Sequence, residues 1–386
     1  YRKLGSSEIQ VSAVALGTWS IGGGPWWGKT DDNDSIRAIQ AAVDAGITLI
    51  DTAPVYGFGQ AETIVGKALA SSSHRARARI ATKLGLAWKD DKVRRDASRE
   101  RVEREVDDSL RRLGVDHLDI EQVHWPDPAV PAQETAQALL RLQQQGKIRA
   151  IGVSNYSPEQ MSAFLDYAPL HTSQPPYNLF EREIERDVLP FCRNHRITTL
   201  MYGALCRGLL SGRIRVDTRF GEGDIRNVDP KFKPSRRQHY LAAVDELDRF
   251  AQDRGKTLIQ LAVRWVLDQP GSPIALWGAR KPEQLDPLDG VDIAVHVAHA
   301  NALLMQIFGE VFRHALGKHG DQRPITRLCG GADLADQFWG QWFLVGGEDQ
   351  VGVCDEPAGE GVGVLDSLAR EPGLLLPGLL RGDVRW

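Results

Sequence analysis

Leu16-Gly17-Thr18-Trp19-Ser20-Ile21-Gly22-Gly23-Gly24-Pro25-Trp26-Trp27-Gly28-Lys29 closes the first strand-like run of the chain, Val11–Thr18, and carries the loop after it. A doubly wound dinucleotide sheet places Gly-x-Gly-x-x-Gly between its first strand and a helix. Here the triplet Gly22-Gly23-Gly24 leads into Pro25, Trp26, Trp27, Gly28 and Lys29, with no helical period. The stretch argues against the doubly wound sheet and for the other architecture built from alternating strands and helices, a closed (β/α)8 barrel.

The rest of the first 285 residues agrees. Seven more short apolar runs follow: Thr48–Thr52, Arg79–Lys83, Leu118–Trp125, Ile148–Asn155, Thr172–Tyr177, Thr198–Ala204 and Pro273–Gly278. Continuous apolar runs of this length fit strands buried on both faces of a parallel sheet. Between them lie helical periods. Val102, Val106, Leu110 and Leu113 form one apolar stripe, and Tyr240, Val244, Leu247 and Ala251 form another. Pro131 suits the first turn of a helix Pro131–Gln145, and Gly146 its end; Gly46 ends Ser35–Ala45 in the same way. Arg2–Leu4 and Glu8–Gln10 flank Gly5-Ser6-Ser7 and read as a β-hairpin ahead of the barrel.

Residues 1–285 are therefore expected to form a (β/α)8 TIM barrel, and 286–386 an atypical C-terminal extension. The extension is rich in Gly, and Pro287 interrupts the helix expected after the eighth strand. Asn301–Leu316 carries a helical stripe, while Gly340–Gly363 has no period. An abrupt change of character of this kind suits an appended segment or a shifted reading frame, with a genuine extension of the barrel chain as the alternative.

Formal net charge is −4, with acidic and basic residues interspersed. No basic block suggests nucleic acid, and no run of about 18 apolar residues suggests a membrane span. Cys192, Cys206, Cys329 and Cys354 form no C-x-x-C pair and no zinc-type spacing with His. The first residues, Tyr-Arg-Lys-Leu-Gly, do not read as a signal peptide. The expectation is a cytoplasmic protein, a monomer, with no metal and a small-molecule substrate.

The chemistry lies at the downstream ends of the strand runs, where barrel enzymes collect their catalytic groups. Asp51 and Tyr56 occupy Thr-Leu-Ile-Asp-Thr-Ala-Pro-Val-Tyr-Gly, Lys83 ends Ile-Ala-Thr-Lys, and His124 stands in Glu-Gln-Val-His-Trp-Pro-Asp. A phenol has an ordinary pKa of about 10, too high for efficient donation at neutral pH. An ammonium at Lys83, kept charged by Asp51, is expected to lower it, and His124 to hold a carbonyl oxygen or share the proton. This set points to hydride chemistry on C=O rather than hydrolysis. Trp19, Trp26, Trp27, Trp88 and Trp125 fall in or beside the same loops and read, with Tyr56 and His124, as walls of a substrate pocket for apolar or flat carbonyl compounds or sugars.

The chain also resembles the aldo-keto reductases, and among them is similar to the bacterial general-stress-type enzymes. The resemblance covers about residues 2–285 and rests on Leu-Gly-Thr-Trp at 16–19, Asp-Thr-Ala-x-x-Tyr-Gly at 51–57, Ala-Thr-Lys at 81–83 and Val-His-Trp-Pro-Asp at 123–127. It continues through Lys-Ile-Arg-Ala-Ile-Gly-Val-Ser-Asn at 147–155, Gln-Pro-Pro-Tyr-Asn at 174–178, Arg-Gly-Leu-Leu at 207–210 and Gly-Ala-Arg-Lys-Pro-Glu-Gln-Leu at 278–285. It implies a barrel, an NADP(H) cofactor held without a Rossmann fold, and Asp51, Tyr56, Lys83 and His124 as the catalytic set. It implies cofactor contacts at Gly17, Thr18, Trp19 and Asp51. Ser154, Asn155 and Gln174 match positions that bond the nicotinamide carboxamide, and Tyr202 the ring that stacks on it. Gly203, Leu205, Arg207, Gly208 and Leu210 match the pyrophosphate loop, and Gly278, Ala279, Arg280, Lys281 and Gln284 the adenine end.

Barrel phosphate sites commonly form from loops after the seventh and eighth strands, and Arg280 beside Lys281 suits the extra phosphate of NADP. The family's Asn after the Gln284 position is missing, so the adenine-ribose contacts do not carry over; the family's C-terminal loop, from which specificity is often drawn, is replaced here, so substrate specificity does not carry over either. Two other functions remain open on the sequence: a Schiff-base aldolase using Lys83, and a non-catalytic NADP-binding regulatory subunit.

Overall fold

The structure of the protein, a computed structural model, describes residues 1–89 and 92–288. The chain opens with a hairpin, β1 (Arg2–Lys3) and β2 (Gln10–Val11), then enters the barrel at β3 (Val14–Gly17). It continues through α1 (Asp32–Asp44), β4 (Leu49–Asp51), α2 (Gln60–Ala68), α3 (Ser72–Arg77) and β5 (Arg79–Leu84). A second hairpin, β6 (Leu86–Lys89) and β7 (Lys92–Arg95), precedes α4 (Arg99–Leu113) and β8 (Leu118–Val123). Next come α5 (Ala132–Gln144), β9 (Ile148–Ser154), α6 (Pro158–Leu165), β10 (Thr172–Gln174), α7 (Val188–Asn194) and β11 (Thr198–Met201). The last elements named here are α8 (Pro234–Gln252), α9 (Leu258–Leu267) and β12 (Ile274–Gly278).

β3, β4, β5, β8, β9, β10, β11 and β12 form one closed parallel barrel, with β12 pairing back onto β3. Closure removes every free sheet edge, so each strand is paired on both sides. Alternation then sorts the side chains. Ala15, Leu49, Ala81, Ile120, Ala150, Leu200 and Ile274 fill the interior, and Leu4 and Val11 of the first hairpin join that cluster and close the floor. The opposite faces, with Ile50, Ile80, Ile151 and Met201, pack under the helices.

All eight expected strands are present, seven of them shorter than the apolar runs that announced them and β5 one residue longer. The run Val11–Thr18 divides: Val11 pairs with Arg2 in the hairpin, and the barrel strand begins at Val14. α1 starts at Asp32, three residues before the expected Ser35, because Asp31 caps it by accepting from Asp34 N. Pro131 stands as N-cap of α5 in an extended conformation, one place before the first turn. The β6–β7 hairpin was not foreseen. The expectations for Asn301–Leu316, for Gly340–Gly363 and for the extension's role lie outside the described residues.

A polar layer is buried between β5, β8 and the helices outside them. Glu62 of α2 accepts from Thr82 Oγ1 at 2.6 Å and pairs with Arg112 at 2.6 Å. Glu105 of α4 pairs with Arg101 at 2.9 Å and accepts from Gly85 N at 3.0 Å. Glu121 of β8 is 0% exposed, and neither carboxyl oxygen has a side-chain partner.

Candidate active site

The carboxyl ends of β4, β5 and β8 deliver the expected polar set to one place. Asp51 is the last residue of β4; Lys83 lies next to last on β5, opposite Gln122 of β8. Lys83 Nζ donates to Asp51 Oδ2 at 2.7 Å, to Thr52 O at 3.0 Å and to Tyr56 Oη at 3.2 Å. An ammonium has three protons to give, and these three acceptors account for them. Tyr56 Oη is thus an acceptor toward Lys83, and its own hydrogen is left to point away from it. Lys83 and Asp51 are both buried, so truncating either would cost about 3–5 kcal/mol by leaving an unpaired buried charge.

Asp51 is satisfied on its other oxygen as well. Oδ1 accepts from Gln174 Nε2 at 2.8 Å and from Gln122 Nε2 at 3.3 Å. Gln122 escaped the sequence reading, although it sits one pleat before His124 on the same strand face. The His124 and Tyr56 rings meet edge to face, centroids 5.7 Å apart.

Burial and charge set the protonation states. Burial alone would lower the pKa of Lys83, but Asp51 and Tyr56 reverse this and hold it above its ordinary value. Burial, aided by the Lys83 charge, holds His124 well below its ordinary value, so the imidazole is neutral at pH 7. Tyr56 departs from expectation. Burial raises its pKa, and the opposing pull of Lys83 does not overcome it. Removing a phenolate from water costs more here than one ammonium, already shared with Asp51, returns.

Two loops fix Tyr56 in place. Its neighbour Gly57 has φ +59°, and a Cβ there would lie 2.1 Å from Gly22 O. A Cβ on Gly22 would in turn lie 2.7 Å from the carbonyl carbon of Tyr56. The glycines at 22 and 57 therefore let the β3 and β4 loops touch backbone to backbone. Thr18 ties the same loops, with its N and Oγ1 both donating to Asp51 O at 2.9 and 3.0 Å. Its hydroxyl is thereby committed to the backbone. Gly17 lies in register with both Asp51 and Gly278.

Four of the five expected tryptophans, Trp19, Trp27, Trp88 and Trp125, are partly buried and pack with Tyr56 on one cluster. Trp19 and Trp27 meet edge to face at 5.3 Å, and Trp19 is 6.2 Å from the Tyr56 ring. Trp88 of β6 packs on Phe58 at 5.6 Å, and Trp125 lies under the Arg95 guanidinium at 5.4 Å. Trp26 differs: it is 4% exposed and packs behind Phe58, a core residue rather than a wall.

On the far side, Ser154, Asn155, Gln174 and Tyr202 form one bonded set. Ser154 Oγ donates to Gln174 O at 2.8 Å and accepts from Asn155 Nδ2 at 3.0 Å. Asn155, at φ +62°, also donates to His124 O at 3.0 Å and accepts from Tyr202 Oη at 2.9 Å. Gly203 carries φ +76° just after Tyr202.

The loop after β11 turns through Cys206 (φ +46°), Arg207 (φ +51°) and Gly208 (φ +96°). Left-handed backbone at two non-glycine residues is costly and clusters at ligand-binding segments. The Arg207 guanidinium pairs with Asp229. Leu210 is wholly buried core, and Leu205 packs partly buried against that core, so either contributes backbone at most. After β12, Gly278 is exposed and Ala279 buried. Gln284 Oε1 accepts from Arg280 N at 2.7 Å and from Lys281 N at 3.2 Å, fixing the turn that presents Arg280. Lys281 Nζ faces Asp34 at 3.8 Å.

Comparison with known proteins agrees with this geometry. The chain is 55% identical over 292 residues to the aldo-keto reductase YhdN of Bacillus subtilis, covering 75% of this chain and 88% of that protein. It is 35% identical to an NADH-specific methylglyoxal reductase of Escherichia coli, over 80% of this chain and 97% of that one. Among solved structures, the glycerol dehydrogenase AKR11B4 from Gluconobacter oxydans superposes with TM-score 0.74 at 49% identity, over 84% of this chain and 96% of that one. An aldo/keto reductase from Klebsiella pneumoniae in complex with NADP and acetate superposes with TM-score 0.61 at 29% identity, over 78% and 94%. The profile of the Aldo/keto reductase family matches residues 13–290, and the chain belongs to that family.

Proposed function

We propose that the protein is an NADPH-dependent reductase of aldehydes and ketones, with Asp51, Tyr56, Lys83 and His124 as its catalytic set. The observation that carries this reading is the bonding of Lys83. Its three donors go to Asp51, Thr52 and Tyr56, so the phenol proton is free for a substrate oxygen.

Tyr56 donates that proton as the carbonyl carbon is reduced. Lys83 stabilises the phenolate left behind, and Asp51 keeps Lys83 charged and in position. Neutral His124 donates a hydrogen bond to the same oxygen, and the tryptophans exclude water. The groups present fit a nicotinamide dinucleotide: a hydroxyl and two amides at Ser154, Asn155 and Gln174, an aromatic face at Tyr202, a left-handed loop at Cys206–Gly208, and Arg280 on a fixed turn. That cofactor, when bound, supplies the hydride. Arg280 supports the 2′-phosphate form, since a guanidinium offers a forked donor set to phosphate. The NADP complex of the Klebsiella relative supports it too, while the NADH-specific relative makes the preference a point to measure.

The aldolase reading needs a neutral Lys83 with a free lone pair. A lysine held charged by Asp51, with three acceptors on its protons, does not suit that role. The test is a panel of aldehydes, ketones and alcohols assayed with NADPH and NADH. Turnover of aldehydes, faster with NADPH, is expected. Tight NADPH binding without turnover would favour a regulatory subunit instead.

A further inference from the structure

We propose that Arg95 is a substrate-recognition residue, and that the favoured carbonyl substrates carry an oxyanion beside the reacting group. This rests on the reductase reading above and adds the substrate class to it.

The argument begins with the β6–β7 hairpin in the loop after β5. Its register pairs Leu86 with Arg95 and Trp88 with Val93. Directly paired residues share a face, so Leu86, Trp88, Val93 and Arg95 point one way. Leu86 and Val93 belong to the buried cluster that includes Val55 and Trp26, with Trp19, Tyr56, Trp88 and Trp125 packed on it. Arg95 is thus the cation on the pocket-facing side of the hairpin. Lys92 and Arg94 alternate onto the other side, both exposed, and Arg94 pairs with Asp96 at 3.0 Å.

Arg95 has no comparable partner. Among the described residues, no carboxylate oxygen lies within 4.0 Å of its guanidinium. One nitrogen donates to Pro126 O at 3.1 Å, and the plane lies over Trp125, 5.4 Å from the ring centroid. The nearest acid in influence, Asp127, spends its oxygens on Ala97 N at 3.0 Å and Ala129 N at 2.9 Å. Burial lowers the Arg95 pKa, and the more distant Asp127 and Tyr156 do not offset it. A half-buried guanidinium with spare donors and no counter-ion among the described residues is an unbalanced group.

Its position supplies the reason for tolerating it. Trp125 directly follows His124 and packs, with Trp19, Tyr56 and Trp88, on one aromatic cluster, so the cation lies against the residue next in sequence to His124. A carboxylate or phosphate on the substrate would take its forked donors while the flat body lies among the tryptophans. Arg95 touches neither the reacting carbonyl nor the cofactor, so its effect belongs in KM more than in kcat.

The experiment compares matched substrates: 4-carboxybenzaldehyde against benzaldehyde, and ω-oxo carboxylates of increasing length against the corresponding alkanals. Each is assayed with the intact enzyme and with Arg95→Gln and Arg95→Lys, with thermal melting as a folding control. The charged member of at least one pair should be favoured in kcat/KM by about ten- to a hundredfold, the range of a charge-assisted hydrogen bond. Arg95→Gln should erase that preference through KM, leave the neutral aldehydes within about twofold, and Arg95→Lys should restore part of it. Aldehyde phosphates in the same format separate a phosphate preference from a carboxylate preference. No charge preference in the intact enzyme, or one that survives Arg95→Gln, overturns the proposal. Failure to reduce even the neutral aldehydes would instead overturn the reductase reading beneath it.

Discussion

Gly57 lies against Gly22 so closely that no side chain fits between them: a Cβ on Gly57 would sit 2.1 Å from Gly22 O. The contact joins the loop after β3 to the loop after β4, and Tyr56 is the residue next to it. Gly57→Ala adds both that clash and an unfavourable left-handed φ, worth together at least about 1–3 kcal/mol. Melting should fall accordingly, and kcat should fall more than cofactor affinity because Tyr56 moves. An unchanged melting temperature and kcat would show that the two loops are not tightly joined.

Glu121 gives stability a pH dependence of its own, separate from that of the active-site groups. Glu62 and Glu105 have one arginine each, Arg112 and Arg101, and Glu121 has none. Burial first, then the nearby Glu62 and Glu105, hold its pKa well above the ordinary 4.5, against weaker opposing pulls from the Gln122 backbone and Lys83. The sign follows by linkage. A carboxyl raised in the folded state gives its full stability below the unfolded pKa and loses it as pH climbs toward the folded one. Glu121→Gln keeps the shape and removes the proton. The melting advantage of Glu121→Gln over the parent should therefore grow steadily as pH rises above 4.5. A gap independent of pH from 5 to 9, on the order of the window scanned in such melts, would show that Glu121 does not titrate in this way.

Arg280 is expected to separate the two nicotinamide cofactors. Losing one charged partner of a phosphate costs about 1.5–3 kcal/mol, or roughly ten- to a hundredfold in affinity. Arg280→Ala should weaken NADPH by that factor and NADH hardly at all, measured by fluorescence titration. Equal losses for both cofactors would contradict the role given to it. Lys281, opposite Asp34, should matter less.

Much of this was legible because barrel strands are buried on both faces and announce themselves as apolar runs. The chemistry was legible because Asp51, Lys83 and His124 stand at or just past the ends of three such runs. What the runs could not show was where a strand stops pairing, so Val11 went to the wrong element. The β6–β7 hairpin was hidden because Leu86–Arg95 mixes Trp88 and Val93 with six charged residues, and half its pattern faces solvent. The balance between burial and Lys83 at Tyr56 depends on enclosure in three dimensions, which residue spacing does not carry. The pairing of Arg207 with Asp229 joins two loop positions 22 residues apart through a fold that only the barrel creates.

The most direct measurement is the turnover of Tyr56→Phe, which deletes the phenol hydroxyl and keeps the ring. If Tyr56 is the proton donor, kcat for aldehyde reduction falls by about 10²–10⁴-fold, the usual worth of general acid catalysis, while NADPH binds with unchanged affinity. Turnover within a fewfold of the parent enzyme would contradict the account at its centre.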